Sequence, residues 1–198
     1  MTAARKLDLV SVDDYLEGEL SSPIKHEYLG GVVHAMAGAR NLHNRISTNI
    51  LGRLFIRLDG RPCQPWNSDT KVRIELATQT RFYYPDCFVV CRENPDGDSY
   101  QDEPVVIFEV LSKRTWRIDT GEKKDAYLTI PSLHVYAMVE QETAAVVVYR
   151  RSGQTFLREV YEGRNSVLPL TEIGIELPLS EIYGNLELIP EADDDEEV

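Results

Sequence analysis

The stretch PVVIFEVLSKRT, residues 104–115, decides the fold. Val105, Val106, Ile107, Phe108, Val110 and Leu111 make a short apolar run rich in β-branched residues and closed by polar ones, which predicts a buried strand. One carboxylate, Glu109, interrupts the run. A charge in such a strand must be paired, bound to a metal, or neutralised by a raised pKa. The plainest alternative is a buried ion pair with a base such as Arg117.

Working backwards, the loop NPDGDSYQDEP leads out of a second strand-like segment, RFYYPDCFVVC, which carries Asp86 among apolar neighbours. If the two strands are adjacent, Asp86 and Glu109 can converge on one hard cation. Mg²⁺ suits that pattern because it takes one or two protein carboxylates and keeps water or phosphate oxygens elsewhere. The alternative for Asp86 is turn chemistry after Pro85. Upstream, Leu42, Ile46, Ile50, Leu54 and Leu58 recur every four residues and predict an amphipathic helix from Asn41 to near Gly60. KHEYLGGVVHAMAG reads as a hairpin around Gly30-Gly31, and SVDDYLEGEL as a short helix with Ser11 as its N-cap.

Downstream, DTGEKKDAYLTI predicts a helix capped by Asp119 and ending before Pro131. Asp119, Lys123 and Tyr127 fall on one face of it, where a surface pair between Asp119 and Lys123 is the simplest reading. LHVYAMVE, AAVVVYRR and TFLREVYEG follow as strands. The order of elements predicts an α/β (α+β) protein with a mixed sheet. A single domain over residues 1–190 and an acidic disordered tail over residues 191–198 are expected.

The formal net charge is −12, from 33 acids against 21 bases, and six of the acids lie in that tail. A globally acidic chain weighs against a general nucleic-acid binder, whose affinity rests on Lys and Arg contacts to phosphate. No apolar run approaches the roughly 20 residues that span a bilayer, so no membrane partner is expected. Three cysteines make no even disulfide framework and suggest a reducing compartment, with the cytoplasm as default. Cys87 and Cys91, i and i+4 on a strand, would lie about 13 Å apart, too far to share a zinc ion.

HEYLGGVVHAM, NLHNRI, YYPDCFVV, IFEVLSKRT and DTGEKKDAY, in that order and spacing, resemble the Uma-two-type family of restriction-endonuclease-like proteins, within the PD-(D/E)xK nuclease superfamily. The resemblance runs from about Ser11 to Tyr183. It implies a restriction-endonuclease-like fold, a mixed central sheet flanked by helices with the site at the sheet edge. It also implies Mg²⁺ or Mn²⁺ as cofactor and nucleic acid, DNA ahead of RNA, as partner. Pro85-Asp86 resembles the motif's PD, and Glu109 its second acid. Leu111 stands where the superfamily usually has its lysine, and the family pattern points instead to Lys123, with Lys124 second. Glu27 resembles an additional acid brought from an early element, although an exposed acid beside a hairpin is an equal reading.

The implied catalytic set is therefore Asp86, Glu109, Lys123 and Glu27, with Asp86, Glu109 and the Val110 carbonyl holding the metal. Lys113, Arg114 and Arg117 would grip flanking phosphates, or form a solvated loop. His43 would touch substrate or help place Glu27, or simply cap or pack its helix. Arg45, Arg53 and Arg57 read as a solvated helix face. AAVVVYRR offers a pairing edge for a homodimer. Metal-dependent phosphodiester hydrolysis is the leading expectation. A catalytically silent nucleic-acid-binding or regulatory module is the alternative, favoured by net charge and the displaced lysine.

Overall fold

The computed structural model describes residues 9–36, 38–112 and 116–188. Lys113, Arg114 and the acidic tail lie outside the described residues. The expected α+β class is observed, with mixed sheets and flanking helices.

Helix α1 (Val12–Ser21) starts where the Ser11 side chain accepts a hydrogen bond from the Asp14 N–H. Strands β1 (His26–Leu29) and β2 (Val32–Ala35) form a hairpin whose two linking residues, Gly30 and Gly31, have φ of 58° and 101°. Positive φ at both positions is what the tight two-residue hairpin turn demands, and glycine meets it without a Cβ penalty. Helix α2 (Asn41–Leu58) buries Ile46, Ile50, Leu54 and Leu58, the four-residue repeat seen in the sequence. Strands β3 (Gln64–Asn67), β4 (Lys71–Glu75), β5 (Thr80–Tyr83), β6 (Cys87–Val90), β7 (Tyr100–Gln101) and β8 (Pro104–Val110) follow.

The single strand expected over RFYYPDCFVVC is in fact two. Pro85 offers no N–H to a ladder, and the chain leaves β5 to enter β6 in a different sheet. Asp86 thus sits at a junction rather than inside a strand. The helix expected over DTGEKKDAYLTI is also two pieces, α3 (Trp116–Asp119) and α4 (Glu122–Tyr127). Asp119 closes the first piece instead of capping the second. At the break, a Cβ on Gly121 would lie 2.7 Å from the Arg117 carbonyl oxygen, so the tight turn needs glycine. The described residues continue with β9 (Val135–Val139), β10 (Ala145–Ser152), β11 (Thr155–Glu162), β12 (Val167–Leu170), β13 (Ile175–Pro178) and α5 (Leu179–Tyr183).

A six-stranded sheet has the order β11-β10-β9-β8-β6-β3, and a five-stranded sheet the order β2-β1-β5-β4-β7. Strand β8 lies inside the first, antiparallel to β6 and parallel to β9, so the candidate residues are not at a sheet edge as expected. Nor is β10 a pairing edge: it is bonded to β9 and β11 on its two sides. Alternation along β8 divides the core. Val106, Phe108 and Val110 pack with Ile50 and Leu54 of α2, while Ile107 and Leu111 pack with Tyr127 of α4 and Val72 of the second sheet. A strand buried on both faces reads as a continuous apolar run for this reason. Glu109 shares the α4 side.

Cys63 and Cys91, flanking the Gln64–Val90 pair of β3 and β6, form a disulfide, and Cys87 is free and buried. This corrects the reading of three unpaired cysteines. No helix among the described residues is long and apolar enough to cross a membrane.

Leu54, fully buried between α2 and the sheet, and Phe55, 52% exposed beside it, offer a paired test. Leu54→Ala should lose about 2–5 kcal/mol in urea denaturation, and Phe55→Ala no more than about 0.5 kcal/mol. Equal losses would contradict the packing assigned to α2.

Candidate active site

The crossover from β8 through α3 and α4 to the parallel β9 lays α4 across the sheet face that carries Glu109. Ala126 and Tyr127 seat α4 in the core. Lys123, one turn earlier, is then directed down onto the strand. Its Nζ lies 2.9 Å from Glu109 Oε1, 3.2 Å from Glu27 Oε1 and 3.9 Å from Asp119 Oδ1. The Tyr83 ring lies 5.5 Å from the same nitrogen. The surface pair of the simplest reading is therefore a buried cluster: the side chains of Lys123, Glu109 and Asp119 are 8%, 4% and 6% exposed.

Glu27 arrives from the other sheet. Tyr28 pairs with Phe82 across β1 and β5, which sets Glu27 beside Tyr83 on the inner face. Arg81 anchors the opposite side, with Nη1 2.9 Å from Glu122 at the start of α4 and 3.1 Å from the Tyr83 hydroxyl. Asp86 joins through the β5–β6 junction. Cys87 pairs with Phe108, so the preceding residue meets the end of β8. The Val110 N–H donates to Asp86 Oδ2 at 2.7 Å, and His43 Nε2 lies 3.1 Å from the same oxygen. Because N–H and C=O of one strand residue share a flank, the Val110 carbonyl is on the Asp86 side too.

Four carboxylates thus surround one ammonium and one imidazole, and the excess negative charge governs every proton. Burial pushes the Glu109 pKa well above its ordinary value; Asp86 and Asp119 add to the rise and Lys123 restrains it. Burial disfavours the Lys123 ammonium, yet Glu109, Glu27 and Asp119 outweigh it and hold that pKa well above the usual range. Burial likewise opposes charge on His43, but the Asp86 carboxylate raises its pKa overall. Among the described residues, His43 Nδ1 is buried with no hydrogen-bond partner.

The donor set fits a small hard cation. Glu109 Oε1 accepts from Lys123 and, at 3.2 Å, from the Tyr127 hydroxyl, while Asp86 Oδ2 takes Val110 and His43. Among the described residues no hydrogen bond reaches Glu109 Oε2 or Asp86 Oδ1, which leaves one oxygen on each acid for a metal. No group of three His, Cys, Asp or Glu ligands converges among the described residues. Mg²⁺ or Mn²⁺, content with two carboxylates, matches this set better than Zn²⁺.

The structure brings together Asp86, Glu109, Lys123, Glu27 and His43. Among the described residues, His43 pairs with Asp86 and makes no ion pair with Glu27. Lys124 points elsewhere, with its Nζ 5.2 Å from the Tyr149 ring. Arg117 is exposed on α3, while Lys113 and Arg114 lie outside the described residues. Arg53 and Arg57 are not a purely solvated face, since both reach Glu181 Oε2, at 3.4 and 2.7 Å. Asp119 and Tyr127 were missing from the expected set, although their spacing of four residues either side of Lys123 was a usable signal. Another hollow, about 610 Å³ and lined by Arg57, Arg61, Gly174 and Pro178, opens at the C-terminal end of α2, away from His43. Its arginines are already held, Arg57 by Glu181 and Arg61 by the Gly174 carbonyl.

Residues 12–180 match the family model Uma2, described as "putative restriction endonuclease". Two proteins of Synechocystis sp. PCC 6803, both described as uncharacterized, are similar in sequence. The protein slr1290 is 31% identical over 179 residues, covering 89% of this chain and 93% of its own. The protein sll1609 is 30% identical over 148 residues, covering 73% and 82%. A crystal structure from Anabaena variabilis ATCC 29413, described as a "putative nuclease belonging to DUF820", superposes with a TM-score of 0.66 at 14% identity. It covers 85% of this chain and 96% of that one, and shows that the fold is shared.

The charge balance yields two checks. Lys123→Met leaves the carboxylates without their ammonium and should lose about 3–5 kcal/mol, with Lys123→Met/Glu109→Leu recovering a good part of it in a double-mutant cycle. A raised Glu109 pKa means that the folded state binds the extra proton above the unfolded value of about 4.3. Stability contributed by this group is then present below that pH and declines as pH rises toward the folded value. In thermal melts, Glu109→Gln should flatten that decline. An unchanged pH profile would count against the assigned protonation.

Proposed function

Because this chain belongs to the Uma2 family, we propose that it is a nuclease that hydrolyses phosphodiester bonds of nucleic acid, DNA ahead of RNA, with Mg²⁺ or Mn²⁺. The observation that carries this reading is Glu109. It is a carboxylate 4% exposed in a core strand, with one oxygen on Lys123 and the other without a hydrogen bond among the described residues. Replacing a buried pair by apolar residues is often neutral or stabilising, so stability alone is a weak reason to place it there.

Asp86 Oδ1 and Glu109 Oε2, with the Val110 carbonyl on the same flank, would hold the ion. When bound, it supplies Lewis-acid polarisation of a phosphoryl oxygen and lowers the pKa of the hydrolytic water. Val110 N–H and His43 fix the Asp86 carboxylate by holding its other oxygen. Lys123 presents a cation to the attacking water or to the charge that develops on phosphate. Glu27 and Asp119 keep that ammonium protonated and aimed. Tyr127 holds Glu109 Oε1 from the helix side. Arg117, with Lys113 and Arg114, would contact phosphates flanking the scissile one.

Beyond net charge and the displaced lysine, the silent-module alternative has one structural observation in its favour: three carboxylates already engage Lys123. Cleavage assays with the purified chain on single-stranded, duplex and structured substrates separate the two readings. Activity should require Mn²⁺ or Mg²⁺ and fall by roughly 10²-fold or more in Asp86→Ala, Glu109→Gln and Lys123→Met. Cleavage undiminished in Asp86→Ala or Glu109→Gln would refute the assignment, and binding without cleavage by the parent chain would favour the silent module.

A further inference from the structure

Trp116 is 52% exposed, and its neighbour Arg117 is exposed as well. A lone surface tryptophan is unremarkable, but this one opens the short helix that carries Asp119, and its backbone is hydrogen-bonded on both sides. Its N–H donates to the Ser112 carbonyl at 2.8 Å, and its own carbonyl accepts from the Thr120 N–H at 2.9 Å and the Thr120 hydroxyl at 2.6 Å. Ser112 is two residues past Val110, at the end of the strand that carries Glu109. Asp119, one helical turn past Trp116, is buried and 3.9 Å from Lys123. The same short helix thus carries an exposed Trp116 at its start and, three residues on, the buried Asp119 of the cluster.

The other tryptophan, Trp66, is already stacked on Phe88, with ring centroids 6.4 Å apart and planes 16° apart. Phe55, equally exposed, lies twelve residues along α2 from His43, roughly 18 Å by helical rise. Among the described residues, Trp116 is the exposed tryptophan, on the helix that carries Asp119 of the cluster. Charge points the same way. A chain of net charge −12 gains little from a long phosphate track, whereas stacking of a base on an aromatic ring is insensitive to salt and to sequence.

We propose that Trp116 is a stacking platform for an unpaired nucleobase at the mouth of the Glu109–Lys123 cluster, so that the preferred substrate is a single strand or a single-stranded segment. The inference rests on the nuclease reading and narrows its substrate class. Arg117, the next residue and also exposed, would offer a cation to a phosphate near the stacked base. In a paired duplex the face of each base is covered by its neighbours and is closed to the indole.

Intrinsic fluorescence of the full chain, with anisotropy of end-labelled strands to give affinities for every variant, tests this in the Glu109→Gln background with Mn²⁺ present so that the strand is not consumed. The titrants are a short oligothymidylate, the matching oligouridylate and a blunt hairpin duplex. Single strands should quench emission and bind more tightly than the duplex, and the two oligonucleotides separate DNA from RNA. Trp116→Ala should weaken single-strand affinity about tenfold or more while leaving the slope of affinity against salt unchanged, and Trp116→Phe should retain most of it. Undiminished single-strand binding by Trp116→Ala, or duplex binding of equal strength, overturns the stacking inference and leaves the nuclease reading standing. If neither polymer binds, both fall.

Discussion

Everything around β8 answers to one constraint, a carboxylate held out of water. Glu109 sits on a strand buried on both faces, where an unpaired charge is strongly disfavoured. Lys123 reaches it at 2.9 Å from α4, but brings the cluster into contact with Glu27 and Asp119 as well. The ammonium balances only part of the negative charge it meets. Glu109 and Lys123 both hold their protons more firmly than usual. Such a site stores an electrostatic demand for cationic charge, and a divalent ion would satisfy it.

The rest of the architecture supplies that cluster. Two sheets are joined where β5 runs through Tyr84, Pro85 and Asp86 into β6. Glu27 comes from the five-stranded sheet, Glu109 from the six-stranded one, and Asp86 from the link between them. The β8–α3–α4–β9 crossover adds Lys123 and Asp119, and the start of α2 adds His43. Six separate segments therefore hold the polar groups, and β1, β8, α2 and α4 are each anchored by buried apolar residues. That arrangement fixes directions more tightly than one loop could.

On the proposed nuclease reading, the lysine reaches its acid from a different direction than in the usual motif. Leu111, where the usual nuclease motif carries its lysine, lies on the same strand face as Glu109 and is packed into the core beside Tyr127 and Tyr136. An ammonium there would have to thread through that packing. Lys123 approaches instead from the helix laid across the face, and arrives at the same carboxylate.

By itself the sequence determined which segments are strands and helices wherever periodicity was strong. The run around Glu109, the four-residue repeat of α2 and the Gly30-Gly31 hairpin were all legible, because each follows from local side-chain and backbone preferences. It also marked Glu109 as anomalous, since a charge in an apolar run is visible without coordinates. Tertiary structure alone decided the rest. The break at Pro85, the split of the α3–α4 helix over Gly121 and the interior place of β8 depend on which strands pair. So does the pairing of Cys63 with Cys91, two cysteines far apart in the chain and opposite across β3 and β6. The partners of Lys123 come from elements many residues apart, and electrostatic balance among them exists only once long-range packing has removed the water between.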